Sequence, residues 1–422
     1  QNTTADGNTA VGHHALYVNT TAGNNTAVGN DSMKANTTGT SNVGVGSDAL
    51  AANTTGWACT AVGKGALSAN TEGEYNVAVG HAALDAITTG DRCTAIGTYS
   101  LGANTGGYNT AVGMYALTAN VAAQYNNAFG YNALGSNTTA EYGVAVGHAA
   151  LSANTTGAQN TGIGYNALGN NTTGTQNVAV GANALDALTT ANNDVAIGYL
   201  AMTSATTAHS NVAVGTKALE DCVTGSSNVA IGYKALEDNA ITHSNVAIGQ
   251  SALENCVGPG TVAGANVGIG YNAGSLTTTG IGNISIGNDA QPSSDSADFQ
   301  ATIGNDQITN LRCNDTSISS LSDQRDKTEI IDLPIGLDFI NALKPRKFKW
   351  ATRDGNIKDG KYRAGFIAQE LQALESSTSV DYLNLVLDDN PDRLEATEGH
   401  LLPVLIKAIQ ELSAKVAVLE AA

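Results

Sequence analysis

A glycine that returns every 17 residues constrains this chain more than any other feature. Gly12, Gly29, Gly46, Gly63, Gly80 and Gly97 each close a near-identical phrase, and the mark continues at Gly113, Gly130, Gly147, Gly164, Gly181, Gly198, Gly215, Gly232, Gly249, Gly270, Gly287 and Gly304. The interval shortens to 16 before Gly113 and lengthens to 21 before Gly270, where "CVGPGT" adds loop. A unit this short cannot bury an apolar side by itself, so neighbouring units must stack into a solenoid. A propeller blade needs about 40 residues and a helical repeat about 34, and neither fits.

Within one copy, "NVAVGHAALDAITTG" at Asn76 to Gly90, Val77 and Val79 alternate with Asn76, Ala78 and Gly80. Period two predicts a strand. Its Val, Ile and Thr side is expected to face the core, and its Ala and Gly side to meet another backbone. Leu or Met stands four places after the glycine at Leu16, Met33, Leu50, Leu67, Leu84 and onward to Leu253, and is expected to fill the core from a second short strand. The Asn-Thr-Thr-Gly phrases, such as Asn53 to Gly56, are turn chemistry. Two strands and two turns per coil, stacked at about 4.8 Å, predict a rod on the order of 85 Å long.

Composition agrees with a thin core. The chain has 48 glycines, 13% charged residues and 5% aromatic residues, so large side chains are scarce. Such a composition alone would suggest disorder, but the strict period argues against it. A net charge of -18 excludes a nucleic-acid partner held by phosphate neutralisation. No apolar run approaches the roughly 20 residues of a membrane helix, so membrane insertion is not expected. The opening "QNTTADGN" lacks the pattern of a signal peptide, and Gln1 in place of Met suits a fragment or processed product.

Chemistry on the rod is sparse. Cys59 and Cys93, like Cys222 and Cys256, lie about two coils apart, beyond disulfide reach, and are expected to be free thiols in an Asn ladder. No metal site or cofactor is expected. The "NTT" triplets match a glycosylation pattern, but turn geometry explains them. Tyr131, Tyr165, Tyr199, Tyr233 and Tyr271 follow the marker glycine and could line one edge for sugar stacking, although turn packing is the commoner use. Acidic residues such as Glu237 and Asp238 form no evident glycosidase pair.

The phrase "NVAIG" at Asn228 to Gly232 and Asn245 to Gly249 resembles the repeat of trimeric autotransporter adhesin heads. That resemblance implies left-handed parallel β-rolls packed three about an axis, and covers roughly the first two thirds of the chain. The fold class expected is therefore mainly β: a trimeric parallel β-solenoid, then a small α+β domain ending in a coiled-coil helix.

After Gly304 the period stops and charge density rises. The divisions expected are a stalk over 1–290, a connector over 291–321 and a C-terminal domain over 322–422 with a helix at 400–421. "DLPIGLDFINALKPRKFKW" reads as a helix followed by a basic strand. "SDQRDKTEI" from Ser322, "LKPRKFKW" from Leu343, "AGFIAQEL" from Ala364 and "LLPVLIKAIQELSAKVAVLE" from Leu401 resemble, in that order, the endosialidase-type intramolecular chaperone of bacteriophage tail fibres and tailspikes. "IGNDQITNLRC" resembles the neck joining such fibres to it. The resemblance implies a helper that trimerises, sets the β-rich stalk in register and cuts itself off once. The family's catalytic Ser and Lys map onto Ser322 and Lys327, and Asp323 and Arg325 also match its motif.

The chemistry requires that a base activate the Ser322 hydroxyl, and a Lys serves only if its pKa is lowered. Attack on the adjoining carbonyl, most simply at the Leu321–Ser322 bond, would give an ester that water hydrolyses. Spacing alone also allows Ser322 to be a helix N-cap with Asp323 in the first turn and Lys327 solvated. In the terminal helix, Leu402, Leu405, Ile409, Leu412, Val416 and Leu419 follow 3, 4, 3, 4, 3 spacing, a heptad seam after Pro403. The seam does not fix the number of chains, and an amphipathic helix docked on its own domain also fits.

These readings converge on a homotrimeric phage fibre segment, extracellular on a virion, contacting other tail proteins and a host surface receptor, with a glycan among the candidates. A bacterial trimeric adhesin would need a membrane-anchoring β-barrel at its C-terminus. An ice-binding solenoid would need a flat Thr-x-Thr face, whereas Thr clusters in turns here.

Overall fold

The structure, a computed structural model, describes residues 4–258, 264–305, 307–308, 324–351, 357–388 and 394–421. The chain divides into two compact units, Gln1–Gln307 and Ile308–Ala422.

The first unit is a β-solenoid of eighteen three-residue strands, β1 (Thr9–Val11) to β18 (Ala301–Ile303), joined into one all-parallel sheet. Each strand pairs with the next in sequence, Val144 beside Thr161 and Thr161 beside Val178. The stacked sheet thus runs past residue 290 and into the expected connector. Each coil contributes one strand, not the two expected, and the rest of the coil is consecutive turns. The two irregular intervals fall in one corner. Gly106 and Gly107 occupy the corner of the 16-residue coil, and the insertion of the 21-residue coil lies between Cys256 and Asn266. Register survives both, with Thr94 opposite Thr110 and Val246 opposite Val267.

The Leu and Met wall is buried as expected, but the two sides of the strand are the reverse of the expectation. The central strand residue points inward, and Ala27, Ala61, Ala78, Ala145 and Ala196 are fully buried, while the flanking Val79 and Ile163 remain 36% and 38% exposed. Space decides this. A Cβ placed on Gly162 in mid-strand would already lie 3.0 Å from the Ala167 carbonyl oxygen and 3.2 Å from Cγ of Leu151, which reaches across from the opposite wall. Most other strands carry one methyl at this place, as alanine, and the larger valine does not fit. The leucine wall is itself made of turns, with Leu50, Leu84 and Leu151 all at φ 53°. That left-handed conformation costs a non-glycine residue about 1–2 kcal/mol. It persists because each such leucine N–H donates to the next coil, Leu50 to the Ala66 carbonyl at 3.0 Å and Leu84 to the Ser100 carbonyl at 2.9 Å.

Buried asparagines supply the polar part of the core. In one ladder the Asn25 side-chain Oδ1 accepts the Asn42 N–H at 2.9 Å, and Asn42 Nδ2 donates to the Gly56 carbonyl at 2.8 Å. In a second, Asn53 Nδ2 donates to Asn36 Oδ1 at 2.8 Å and to the Gly56 carbonyl at 2.9 Å. The second ladder breaks where Ile87 and Leu188 replace the asparagine, and Asn70 Oδ1 and Asn171 Oδ1 are left without a partner beside those breaks. The marker glycine is fixed by two constraints together. Gly147 sits at φ 133°, a region closed to other residues, and a Cβ on it would collide with the Gly164 backbone of the next coil.

The second unit is α+β. Helix α1 (Leu337–Ala342) leads to strand β19 (Arg346–Ala351), antiparallel to β20 (Ile357–Gly365). Helix α2 (Ala368–Thr378), a short pair β21 (Val386–Leu387) and β22 (Glu395–Ala396), and helix α3 (Leu401–Glu420) follow. Phe339, Leu371, Val380, Leu383, Leu385, Val386, Leu401 and Val404 form its core. Two carboxylates tie the elements: Glu411 accepts the Leu337 N–H at 2.8 Å at the start of α1, and buried Glu375 accepts the Leu385 N–H at 2.7 Å.

Candidate functional site

Of the four motif residues expected at the cleavage site, Arg325 and Lys327 lie in the described structure, and Ser322 and Asp323 lie outside it, as does Leu321. Gln324–Asp326 form one turn of 3-10 helix, and the Lys327 N–H closes it on the Gln324 carbonyl at 3.2 Å. Arg325 and Lys327 are both exposed. Two clefts of the described unit, one between the end of α1 and α2 and one around Gly336 and Glu411, include neither residue.

The terminal helix carries two apolar stripes. Leu401, Val404 and Ala408 dock α3 on its own unit, so one face is internal. The expected seam occupies another face: Leu405, Ile409, Leu412, Val416 and Leu419 are 41 to 76% exposed, as is Leu402. A helix with one stripe buried and a second apolar stripe exposed carries more apolar surface than its own unit uses. On the hairpin of β19 and β20, Lys347 and Lys349 lie over the Tyr362 ring at 4.2 and 4.6 Å, and Arg346 pairs with Glu370 in the first turn of α2.

On the rod, the tyrosine register is part of a larger pattern. Tyr99, Tyr115, Tyr131, His148 and Tyr165 form a ladder with ring centroids 5.1 to 6.2 Å apart. A second ladder on the opposite corner runs through Trp57, Tyr75, Arg92, Tyr108, Tyr125 and Tyr142, with the Arg92 guanidinium between Tyr75 and Tyr108 at 5.4 and 5.5 Å. The sequence reading missed it because its members stand before the strand, outside the glycine register. In both ladders ring faces are turned toward those of neighbouring coils, whereas Tyr199, Tyr233 and Tyr271 of the same register lie on later coils and are about half exposed. Glu237 is occupied, paired with Lys234 at 2.7 Å and Lys217 at 3.6 Å.

The described "NTT" asparagines are buried ladder members, Asn53 fully so, which leaves no room for a glycan on them. The four described cysteines are free and buried, and burial pushes the Cys59 and Cys93 thiols up to about 11 and Cys222 up to about 12. One cluster went unforeseen. His13, His14 and Asp31 meet across the first two coils with ligand atoms within 4.8 Å of one another, but Asp31 is already paired with His14 at 3.1 Å and Lys34 at 3.6 Å.

A parallel β-solenoid of 17-residue coils with a small α+β unit after it has the form of a tailspike or fibre shaft carrying its own folding domain. Residues 322–378 match the family model described as chaperone of endosialidase, which ends with α2. The C-terminal unit is therefore an intramolecular chaperone of the kind found in phage tail proteins. No curated protein and no solved structure gives a significant match.

Proposed function

We propose that the chain is a segment of an extracellular homotrimeric phage fibre. Its solenoid spans distance and presents a surface to the host, and its C-terminal unit assembles three chains before severing itself near Leu321–Ser322. In this reading the chaperone occupies 322–422 and the residues before it from the end of the sheet form the connector.

The observation that carries the proposal is the placement of a chaperone match behind eighteen coils of the same backbone design. Any coil offers the next the same glycine, alanine and asparagine ladders, so a slip of one whole coil keeps nearly every contact. Register must come from outside the rod, and a trimer nucleus at its end supplies it. The exposed α3 seam is the surface on which three such units would meet, and the chaperone family itself implies trimerisation.

In the cleavage step Lys327 takes the Ser322 hydroxyl proton and the oxygen attacks the Leu321 carbonyl. The C–N bond then breaks, the Ser322 amine leaves protonated and water hydrolyses the ester. The test is the intact denatured mass of the expressed chain beside Ser322→Ala. Two pieces from the wild type, the smaller starting at Ser322, with one full-length chain from the variant, are expected. A wild type that stays whole as a trimer would remove self-cleavage and leave a non-cleaving chaperone.

A further inference from the structure

The cluster of His13, His14 and Asp31 is set by the register of the rod. His13 and Asn30 follow the marker glycine on consecutive coils, and His14 and Asp31 come one place later, so the members of each pair are neighbours along the rod. The backbone holds that register: the Asp31 N–H donates to the His13 carbonyl at 2.9 Å, and His14 and Asp31 share the left-handed conformation at φ 58° and 57°. The two imidazole rings have centroids 3.7 Å apart. His14 Nδ1 lies 3.1 Å from Asp31 Oδ1, and His13 Nδ1 lies 3.2 Å from Asn30 Oδ1. Both oxygens can only accept, so both Nδ1 atoms carry the proton. Later coils place one histidine in this register at a time, His81 against Tyr99 and His148 against Tyr131 and Tyr165. Among the described residues no other three histidine, cysteine or carboxylate groups come together.

We propose that His13, His14 and Asp31 form a binding site for a divalent transition-metal ion of the zinc class, on the outside of the first two coils. Two imidazoles and a carboxylate are a donor set that such ions favour, with water completing the shell. Ligand atoms on one tetrahedral zinc lie roughly 3.3 Å apart. The His14 and Asp31 pair is already near that separation, and all three ligand atoms lie within 4.8 Å of one another, so His13 closes the site by rotation of an exposed ring. On binding, the His14 proton passes through solvent from Nδ1 to Nε2, and the freed Nδ1 lone pair and the Asp31 carboxylate take the ion. Asn30 keeps the His13 Nδ1 proton and leaves Nε2 with its lone pair, the kind of outer contact that orients a ligating imidazole. Asp48 stands in the place of Asp31 on the third coil and adds negative charge beside the site. One cation competes. Lys34 Nζ lies 3.6 Å from Asp31 Oδ2, with its side chain 46% exposed, and a pair so open to water yields to a doubly charged ion. Because the ligands come from two coils, the ion ties the first coil to the second. The site lies within one chain and needs neither trimerisation nor cleavage.

The test is calorimetric titration of the full chain with Zn²⁺ alone, without an added histidine tag and with Cys313→Ser, which leaves the buried Cys59, Cys93, Cys222 and Cys256 as its thiols. About one ion per chain is expected, with affinity falling roughly tenfold or more in His13→Ala, His14→Ala and Asp31→Asn. It should stay unchanged in His209→Ala, an exposed histidine elsewhere on the rod, and rise severalfold in Lys34→Met. The melting temperature should climb with Zn²⁺ in the parent chain and not in His14→Ala. A parent chain that takes up no Zn²⁺, or one whose affinity survives His14→Ala and Asp31→Asn, overturns the site. Should those variants fail to fold, the Cu²⁺ complex of the parent chain decides. Electron paramagnetic resonance that shows two imidazole nitrogens on the copper supports the site, and one or none overturns it.

Discussion

The rod and the C-terminal unit solve the same burial problem by opposite means. In the rod every coil repeats the same few contacts, an inward alanine against an opposite leucine with asparagines bonded above and below, so no single contact is unique. In the C-terminal unit Phe339, Leu371 and Leu401 each occupy a place no other residue shares, and Glu411 and Glu375 each tie one particular backbone N–H. Repetition gives extent at little cost in large side chains but leaves register undefined. Uniqueness gives a defined partner geometry over a short span, and a fibre needs both.

Substitution at a marker glycine should break this comparison most sharply. Gly147→Val combines a φ of 133° with a collision against the Gly164 backbone, and a loss on the order of 4 kcal/mol or more is expected. Gly399→Ala in the other unit, where a Cβ meets nothing within 4 Å, should shift its melting temperature little. Thermal melts followed by circular dichroism separate the two.

Asp194 tests whether an irregular rung can be felt. It takes an asparagine's place in the first ladder and accepts the Asn211 N–H at 2.9 Å, but its Oδ2, standing where the other rungs donate to a carbonyl, has no partner. Burial pushes its carboxyl up to about 7, against opposing hydrogen bonds from Asn211, and the buried Cys222 thiol is the titratable group that feels its charge. A carboxyl with a raised pKa in the folded state stabilises the fold only while protonated. Rod stability should therefore fall as pH rises from about 4 to about 7 and level off above, a drop of up to about 4 kcal/mol. Asp194→Asn should abolish that slope and raise stability above pH 7, as read from melting temperature against pH. A slope unchanged in the variant would assign it elsewhere.

Additivity sharpens the contrast at smaller energies. Leu151→Ala and Leu253→Ala should each cost about 3 kcal/mol and sum when combined, because they lie several coils apart. Leu371→Ala with Val404→Ala, within one cluster, should depart from the sum by roughly 0.5 kcal/mol or more, as a denaturant double-mutant cycle measures. The smallest effect belongs to Arg346→Met, whose exposed pairing with Glu370 should be worth within about 1 kcal/mol by the same measurement.

Much of this was legible in the sequence, and the failures are instructive. The 17-residue spacing and the Val-Ala-Val alternation gave coil, strand and stacking, and the four free thiols followed from spacing. The inside and outside of the strand were inverted because hydrophobicity was taken to outrank volume. The space inside the coil holds at most one methyl at the middle of each strand, so Ala145 goes in and Val146 stays out. Asn53 was read as a turn former, although it is a core residue made tolerable by complete hydrogen bonding. The missing second strand traces to the leucines, whose left-handed backbone is invisible to propensity. In the C-terminal unit the α1 helix, the β19 strand and the apolar stripe of α3 followed from pattern, whereas the proposed cleavage rests on motif resemblance, and its proposed nucleophile Ser322 lies outside the described residues.

The shared corner of the two irregular coils has a consequence for how such a chain can change. One coil there is a residue short and another is longer by four, yet the strands on either side pair without a shift. That corner is a place where residues can be added or removed, while all positions that face the interior are counted from the glycine instead. Whole coils can likewise be gained or lost between two marker glycines, since each accepts any other as its neighbour. The reach of the molecule, at about 4.8 Å per coil, is thus an adjustable quantity, separable from the C-terminal unit.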